Sequence, residues 1–138
     1  MNTSFQLGSQ DVLLFDGDCG ICTKSAELAR RIARNGTYAV HPYQMFTEEE
    51  LQAFGINYEL CARRIHTITQ RGRVYGGAFS LNHFCWRHFP WSMLPVIIYL
   101  LPPLLAAEIG LYAVVAHNRQ RISRWLGLTA CAVPRASR

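Results

Sequence analysis

A short apolar run, Val12-Leu13-Leu14-Phe15, stops on Asp16-Gly17-Asp18 and passes at once into a helical pattern. This junction constrains the chain most. Four consecutive apolar residues before a turn signal read as a buried strand. From Ile21 to Arg34 the period changes to that of a helix. Ile21, Leu28 and Ile32, with Ala26, Ala29 and Ala33, form the expected buried face, and Asn35-Gly36 supplies the stop. Tyr38 to Tyr43 reads as a second strand. A strand, a helix and a strand in 32 residues make a βαβ unit, whose strands run parallel.

Downstream, Thr47-Glu48-Glu49-Glu50 carries a capping box and predicts a short helix to Phe54, ended by Gly55. Residues 57–64 fit neither period. Ile65, Thr67 and Thr69 alternate with His66 and Ile68, and Arg71-Gly72 turns the chain into Val74-Tyr75, which predicts an antiparallel hairpin. Gly76-Gly77 then opens a helix from Ala78 to about Phe89. The order β-α-β-α-β-β-α implies an α/β fold, a mixed sheet flanked by helices. The 138 residues suit one domain: a core over 12–90 and a helical C-terminal extension over 91–127.

Within the extension, Met93 to Ala107 holds no charge but is broken by Pro95, Pro102 and Pro103. About 20 uninterrupted apolar residues are needed to cross a bilayer. The segment therefore reads as buried or surface-packed helices, core packing favoured, with Pro102-Pro103 opening the second. Trp86, Trp91, Tyr99 and nearby arginines leave membrane-surface contact open as the less favoured reading.

The chemistry sits at the first junction. Cys19-Gly20-Ile21-Cys22 places two thiols in the first turn of the predicted helix, where unpaired N–H groups and the helix dipole favour a thiolate. Cys19 is expected to be the more exposed, attacking cysteine. Cys22, shielded behind it, would resolve the mixed disulfide. Asp16 and Asp18 oppose thiolate formation by their charge. Asp16 is a candidate proton acceptor for Cys22; turn formation and helix capping are equally good readings of both aspartates.

The other cysteines, Cys61, Cys85 and Cys131, are read as inert thiols. An odd total of five, no apolar leader in residues 1–10, and a single close pair point to a reducing, cytoplasmic compartment rather than a secreted disulfide scaffold. Charge gives little more. The net +5 is almost wholly arginine, Lys24 being the only lysine. The clusters Arg30/Arg31/Arg34, Arg63/Arg64/Arg71/Arg73 and Arg119/Arg121/Arg124 with Arg135 and Arg138 read as solvated faces, with no nucleic-acid motif. Asn118-Arg119 reads as a helix-end cap, with closure over the active site as the alternative.

Asp16-Gly17-Asp18-Cys19-Gly20-Ile21-Cys22 after an apolar strand resembles the D-G-x-C-x-x-C signature of the DCC family of thiol–disulfide oxidoreductases. Val74-Tyr75-Gly76-Gly77-Ala78-Phe79 resembles that family's hairpin-to-helix segment, and Tyr112 to Arg119 its C-terminal stretch. The resemblance spans residues 12 to about 127. It implies a thioredoxin-like fold with Cys19 and Cys22 as the redox pair, no cofactor, a protein or small-molecule disulfide as substrate, and an external thiol reductant. Thioredoxins place a cis-proline opposite the dithiol; Arg63-Arg64-Ile65 stands there instead. Other classes remain open: a non-enzymatic binding module on the same fold, and a zinc site using Cys19, Cys22 and a distant ligand. A phosphatase with Asp16 as nucleophile lacks later aspartates and a downstream lysine.

Overall fold

The computed structural model describes residues 6–33, 36 and 38–128; Arg34, Asn35, Cys131, Arg135 and Arg138 lie outside them. Strand β1 (Asp11–Phe15) is buried along its whole length. Side chains alternate across a strand. Val12 and Leu14 therefore enter one core with Tyr43, Phe46, Leu51, Ile56 and Ile68, while Leu13 and Phe15 enter the other with Ala26, Ala29, Val40 and Phe84. An unbroken apolar run is what a strand covered on both faces requires.

Helix α1 (Gly20–Ile32) leads to β2 (Tyr38–Pro42), which pairs parallel to β1 with Asp11 opposite Tyr38 and Phe15 opposite Pro42. After a 3-10 turn (Tyr43–Met45) come α2 (Glu48–Gln52) and α3 (Tyr58–Arg63). The capping box on α2 forms in full: Glu50 N donates to Thr47 Oγ1 at 3.3 Å, and Thr47 N to Glu50 Oε2 at 2.8 Å. Asn57 caps α3 by accepting from Leu60 N at 2.8 Å, which resolves the ambiguous stretch as a helix. Strands β3 (His66–Ile68) and β4 (Val74–Gly76) form the expected antiparallel hairpin, and β3 pairs antiparallel with β1. Helices α4 (Ala78–Trp86), α5 (Met93–Leu100) and α6 (Pro102–Trp125) complete the order. Strand order β2-β1-β3-β4, with one parallel and two antiparallel pairings, is the thioredoxin-like mixed sheet expected from the sequence.

Three expectations need correction. Helix α4 stops at Trp86, not near Phe89. On α1, the face against the sheet is Thr23, Ala26, Ala29 and Ala33; Leu28 is exposed, and Ile21 and Ile32 are half-buried. At 100° per residue, Ile21, Leu28 and Ile32 form a separate stripe, and the small alanines let the helix lie close on the sheet. The third correction is the largest. The apolar extension is not core: Met93, Leu94, Ile97, Leu100, Leu101, Leu111 and Val114 are all exposed. Both faces of the sheet are already covered, by α1 with α4 and by α2 with α3, so little sheet surface is left for this segment to bury.

Arg30 is exposed, as expected of a solvated face, yet it is tied to the sheet. Arg30 donates through Nε and Nη2 to Val40 O at 3.2 and 3.0 Å, satisfying an outward carbonyl of edge strand β2.

Candidate active site

The turn between β1 and α1 is held by the Asp16 carboxylate, its own backbone and one distant glutamine. Asp18 N donates to Asp16 Oδ1 at 3.0 Å, and Cys19 N to Asp16 O at 3.3 Å. Parallel pairing of Phe15 with Pro42 sets the ends of β1 and β2 side by side, so Gln44 reaches this turn. Gln44 Nε2 donates to Asp16 Oδ1 at 2.8 Å, and its Oε1 accepts from Gly17 N at 3.1 Å. Gln44 was not among the residues singled out from the sequence.

The turn delivers Cys19 as the N-cap of α1. Its backbone is extended, and its sulfur accepts from Cys22 N at 3.4 Å. Capping thus falls to the cysteine itself, not to Asp16 or Asp18. The thiol occupies the place of a capping hydroxyl, where the unpaired first-turn N–H groups concentrate positive charge.

Cys19 and Cys22 are both free thiols, and their electrostatics diverge. Cys19 is pulled down to about 6, first by the hydrogen bond from the Cys22 thiol, then by the Cys22 backbone N–H and the Arg119 charge; burial and Asp16 oppose the shift. Cys22 is pushed up, by its role as donor to Cys19 and by burial. The dithiol therefore holds a thiolate at Cys19 and its proton at Cys22 near neutral pH.

Accessibility runs against the sequence expectation. Cys19 is fully buried, at 0% exposure, whereas Cys22 is only half-buried and lines a cavity of about 410 Å3. The chain packs tightly beside the motif. A Cβ placed on Gly20 would stand 2.6 Å from the carbonyl oxygen of Leu128, so only glycine fits there. The cavity runs between α1 and helices α4–α6; the Ile21, Leu28 and Ile32 stripe forms one wall, and Tyr112, Val115 and Ala116 of α6 face it.

Helix α6 also supplies groups to the site, among them Arg119, for which closure over the active site was the less favoured sequence reading. Arg119 lies within α6, not at its end, and its guanidinium pairs with Asp16 Oδ2 at 3.0 Å. Nη1 lies 4.0 Å from Cys22 Sγ, and Nη2 also donates to Ala62 O. Asn118 stays on the outside, donating to Val114 O. One turn further on, Ser123 Oγ accepts from Ile21 N at 2.9 Å, satisfying a first-turn donor of α1. Earlier in α6, Tyr112 Oη accepts from Ile65 N at 2.9 Å, and its ring lies against Gly77, whose φ of +62° favours glycine. Tyr112, Val115, Ala116, Arg119 and Ser123 follow one another at spacings of 3, 1, 3 and 4. That stripe is the sequence signal that could have placed them on one face.

Of the four candidate residues, Asp16, Cys19 and Cys22 meet under Arg119. Asp18 stands exposed at the rim of the turn. Among the described residues, no group of three or more His, Cys, Asp or Glu side chains could hold a metal ion, so the zinc alternative has no third ligand there. The three segments that resemble the DCC family, around Cys19, Gly77 and Tyr112–Arg119, come together at this site. No curated protein and no solved structure shows significant similarity to the chain. A family model described as DCC1-like thiol-disulfide oxidoreductase matches residues 13–125, most of the chain, and the protein accordingly belongs to that family.

Proposed function

We propose that the protein exchanges disulfides through Cys19 and Cys22, reducing a protein or small-molecule disulfide at the expense of an external thiol. The observation that carries this reading is the placing of the dithiol: Cys19 caps the N-terminus of α1, its sulfur accepts from Cys22 N at 3.4 Å, and Arg119 Nη1 lies 4.0 Å from Cys22 Sγ, an arrangement that lowers Cys19 and raises Cys22. Cys19 thiolate attacks the substrate disulfide, forming a Cys19–substrate mixed disulfide and expelling one substrate thiolate. Cys22 then loses its proton and attacks Cys19 Sγ. That step forms the Cys19–Cys22 disulfide and releases the second substrate thiol. Two electrons leave the dithiol, and an external thiol reductant restores them.

Asp16 is our candidate for the proton acceptor, since it and Cys22 both lie beside Arg119. Asp18 serves through its backbone, whose N–H fixes the Asp16 carboxylate. Because Cys19 has no exposed surface in this conformation, attack requires the surrounding chain to part. We place the reaction in the reducing cytoplasm; the odd cysteine count and the single close pair support that placement.

The test is turnover of a model disulfide by the wild type, Cys19→Ser and Cys22→Ser. Both variants should fall to background, and Cys22→Ser should accumulate a substrate adduct on Cys19, read by intact-protein mass. An adduct on Cys22 in the Cys19→Ser protein, with none on Cys19 in Cys22→Ser, would reverse the roles. Wild-type protein that turns over no disulfide, yet binds a partner equally well as the double serine variant, would establish the binding-module reading instead.

A further inference from the structure

No Asp, Glu, Lys or Arg occurs between Arg87 and Glu108, and the structure does not bury what that stretch carries. Helix α5 exposes Met93, Leu94, Val96, Ile97, Tyr99 and Leu100, while Pro95 is its only buried residue. At 100° per residue the exposed positions cover more than half the circumference. The outward face of α6 continues the pattern through Leu104, Ile109, Leu111 and Val114, with Leu100 and Leu111 at 73% and 66% exposure. Glu108, the one acid there, is tied inward, accepting from Asn82 Nδ2 at 2.9 Å. Polar residues return abruptly at His117, and Arg121 and Arg124 are exposed beyond it.

A helix that is apolar on nearly every side has two natural surroundings, a large protein core or lipid. A second copy of this chain would cover a stripe of α5; a hydrocarbon medium covers it all round. Among the described residues no single helix is long and apolar enough to cross a membrane, but α5 and α6 pass the length and composition test as a pair, bent by 113°. Pro102 to Ala116 rises about 22 Å, less than the roughly 30 Å of bilayer hydrocarbon, so the bend suits a segment that enters and returns. Its two ends carry the groups that favour a headgroup region: Arg87 with exposed Trp86 and Trp91 before α5, and His117, Arg121 and Arg124 after the apolar part of α6.

We propose that the α5–α6 elbow inserts into one leaflet of a lipid bilayer with anionic headgroups, holding the redox domain at the membrane surface. Trp91 and Leu94 lie where α5 begins, at the headgroup end of the inserted segment, and also line the cavity that reaches Cys22, so insertion brings one wall of that cavity to the lipid boundary. The proposal stands on exposure and charge pattern and does not depend on the redox reading.

The full chain should float with vesicles of mixed phosphatidylcholine and phosphatidylglycerol, and less with phosphatidylcholine alone. Leu100→Asp combined with Leu111→Asp should weaken partitioning by roughly a hundredfold or more, from the insertion cost of aspartate against leucine. A Leu100→Trp variant should gain a fluorescence component quenched by lipids brominated on their chains; this reading also serves if the aspartate variant fails to fold. The proposal is overturned if the wild type stays in the aqueous layer. Flotation unaffected by the two aspartates overturns it too, as does a defined oligomer in which the new tryptophan is shielded from brominated lipid.

Discussion

The two halves of α6 belong to one continuous helix and behave as different kinds of surface. From Pro102 to Leu111 its outward residues are apolar, and the hydrogen bond that Glu108 accepts from Asn82 is the one side-chain tie to α4 seen there. From Tyr112 to Ser123 it touches Ile65, Asp16, Cys22, Ala62 and Ile21. The second half is part of the dithiol site although about a hundred residues separate it from Cys19 in sequence. Its contacts are polar, local and directional, so removing any one should be costly. The first half owes little to contacts with this chain, so polar substitutions there should leave the isolated fold intact.

Arg119 should show the largest effect. Arg119→Met leaves the Asp16 carboxylate buried without its counter-charge, and stability should drop by about 3 kcal/mol in urea unfolding. Arg119→Lys should recover part of that, because it restores charge but not the two-pronged guanidinium geometry. The Met variant should also raise the Cys19 midpoint, read from thiolate ultraviolet absorbance against pH, since Arg119 helps hold it near 6. The same shift makes stability pH-dependent. Cys19 is deprotonated in the folded state above about 6 but not in the unfolded state until about 9, from the ordinary thiol value of 9.0. Between these limits the unfolded chain binds the extra proton, so the Cys19 contribution grows as pH rises through that window. It is lost as pH falls through about 6. Cys22 stays protonated in both states there and does not cancel it. A wild type whose stability falls from pH 6 to 8 with Cys19 intact, but not in Cys19→Ser, contradicts the assignment.

How much of this could be read from the chain depends on the range of each interaction. The βαβ unit, the capping box at Thr47 and the hairpin at Arg71-Gly72 are encoded by neighbours a few residues apart, and the structure contains all three. The thiols' place at the strand-to-helix junction was equally legible, because Asp16-Gly17-Asp18 ends one period and starts another. Their relative burial was not: it depends on how the end of α6 and Leu128 pack beside Gly20. Arg119 was misplaced because Asn118-Arg119 looks like a terminus, whereas the helix runs on to Trp125 before Gly127. Gln44 carries no local signal at all; it reaches Asp16 only because two parallel strands end together. Hydropathy marked residues 93–107 as apolar without saying whether protein or another medium would cover them.

Tyr112 tests the middle of the helix. Tyr112→Phe keeps the ring against Gly77 but strips the acceptor from Ile65 N, at a cost of about 1–2 kcal/mol, measured as a lower urea midpoint with an unchanged slope. Ser123→Ala should cost less, about 0.5–1 kcal/mol, because the Ile21 N–H it abandons lies in a first helical turn where water can replace a cap. A Ser123 loss larger than that at Tyr112 would mean that the end of α6 is clamped more firmly to the dithiol helix than its single hydrogen bond indicates.

The smallest effect belongs to the other half. Leu111→Gln replaces a side chain that is mostly exposed and occurs one residue before Tyr112, about 100° round the helix from it. Substitutions on such surfaces usually stay within about 0.5 kcal/mol, and glutamine keeps a comparable helix propensity. The urea midpoint of Leu111→Gln in buffer should therefore match the wild type, while Ser123→Ala, twelve residues along the same helix, moves it. Equal losses at the two positions would show that the first half of α6 is packed as firmly as the second, and the division of the helix into an anchoring part and a site-forming part would fail.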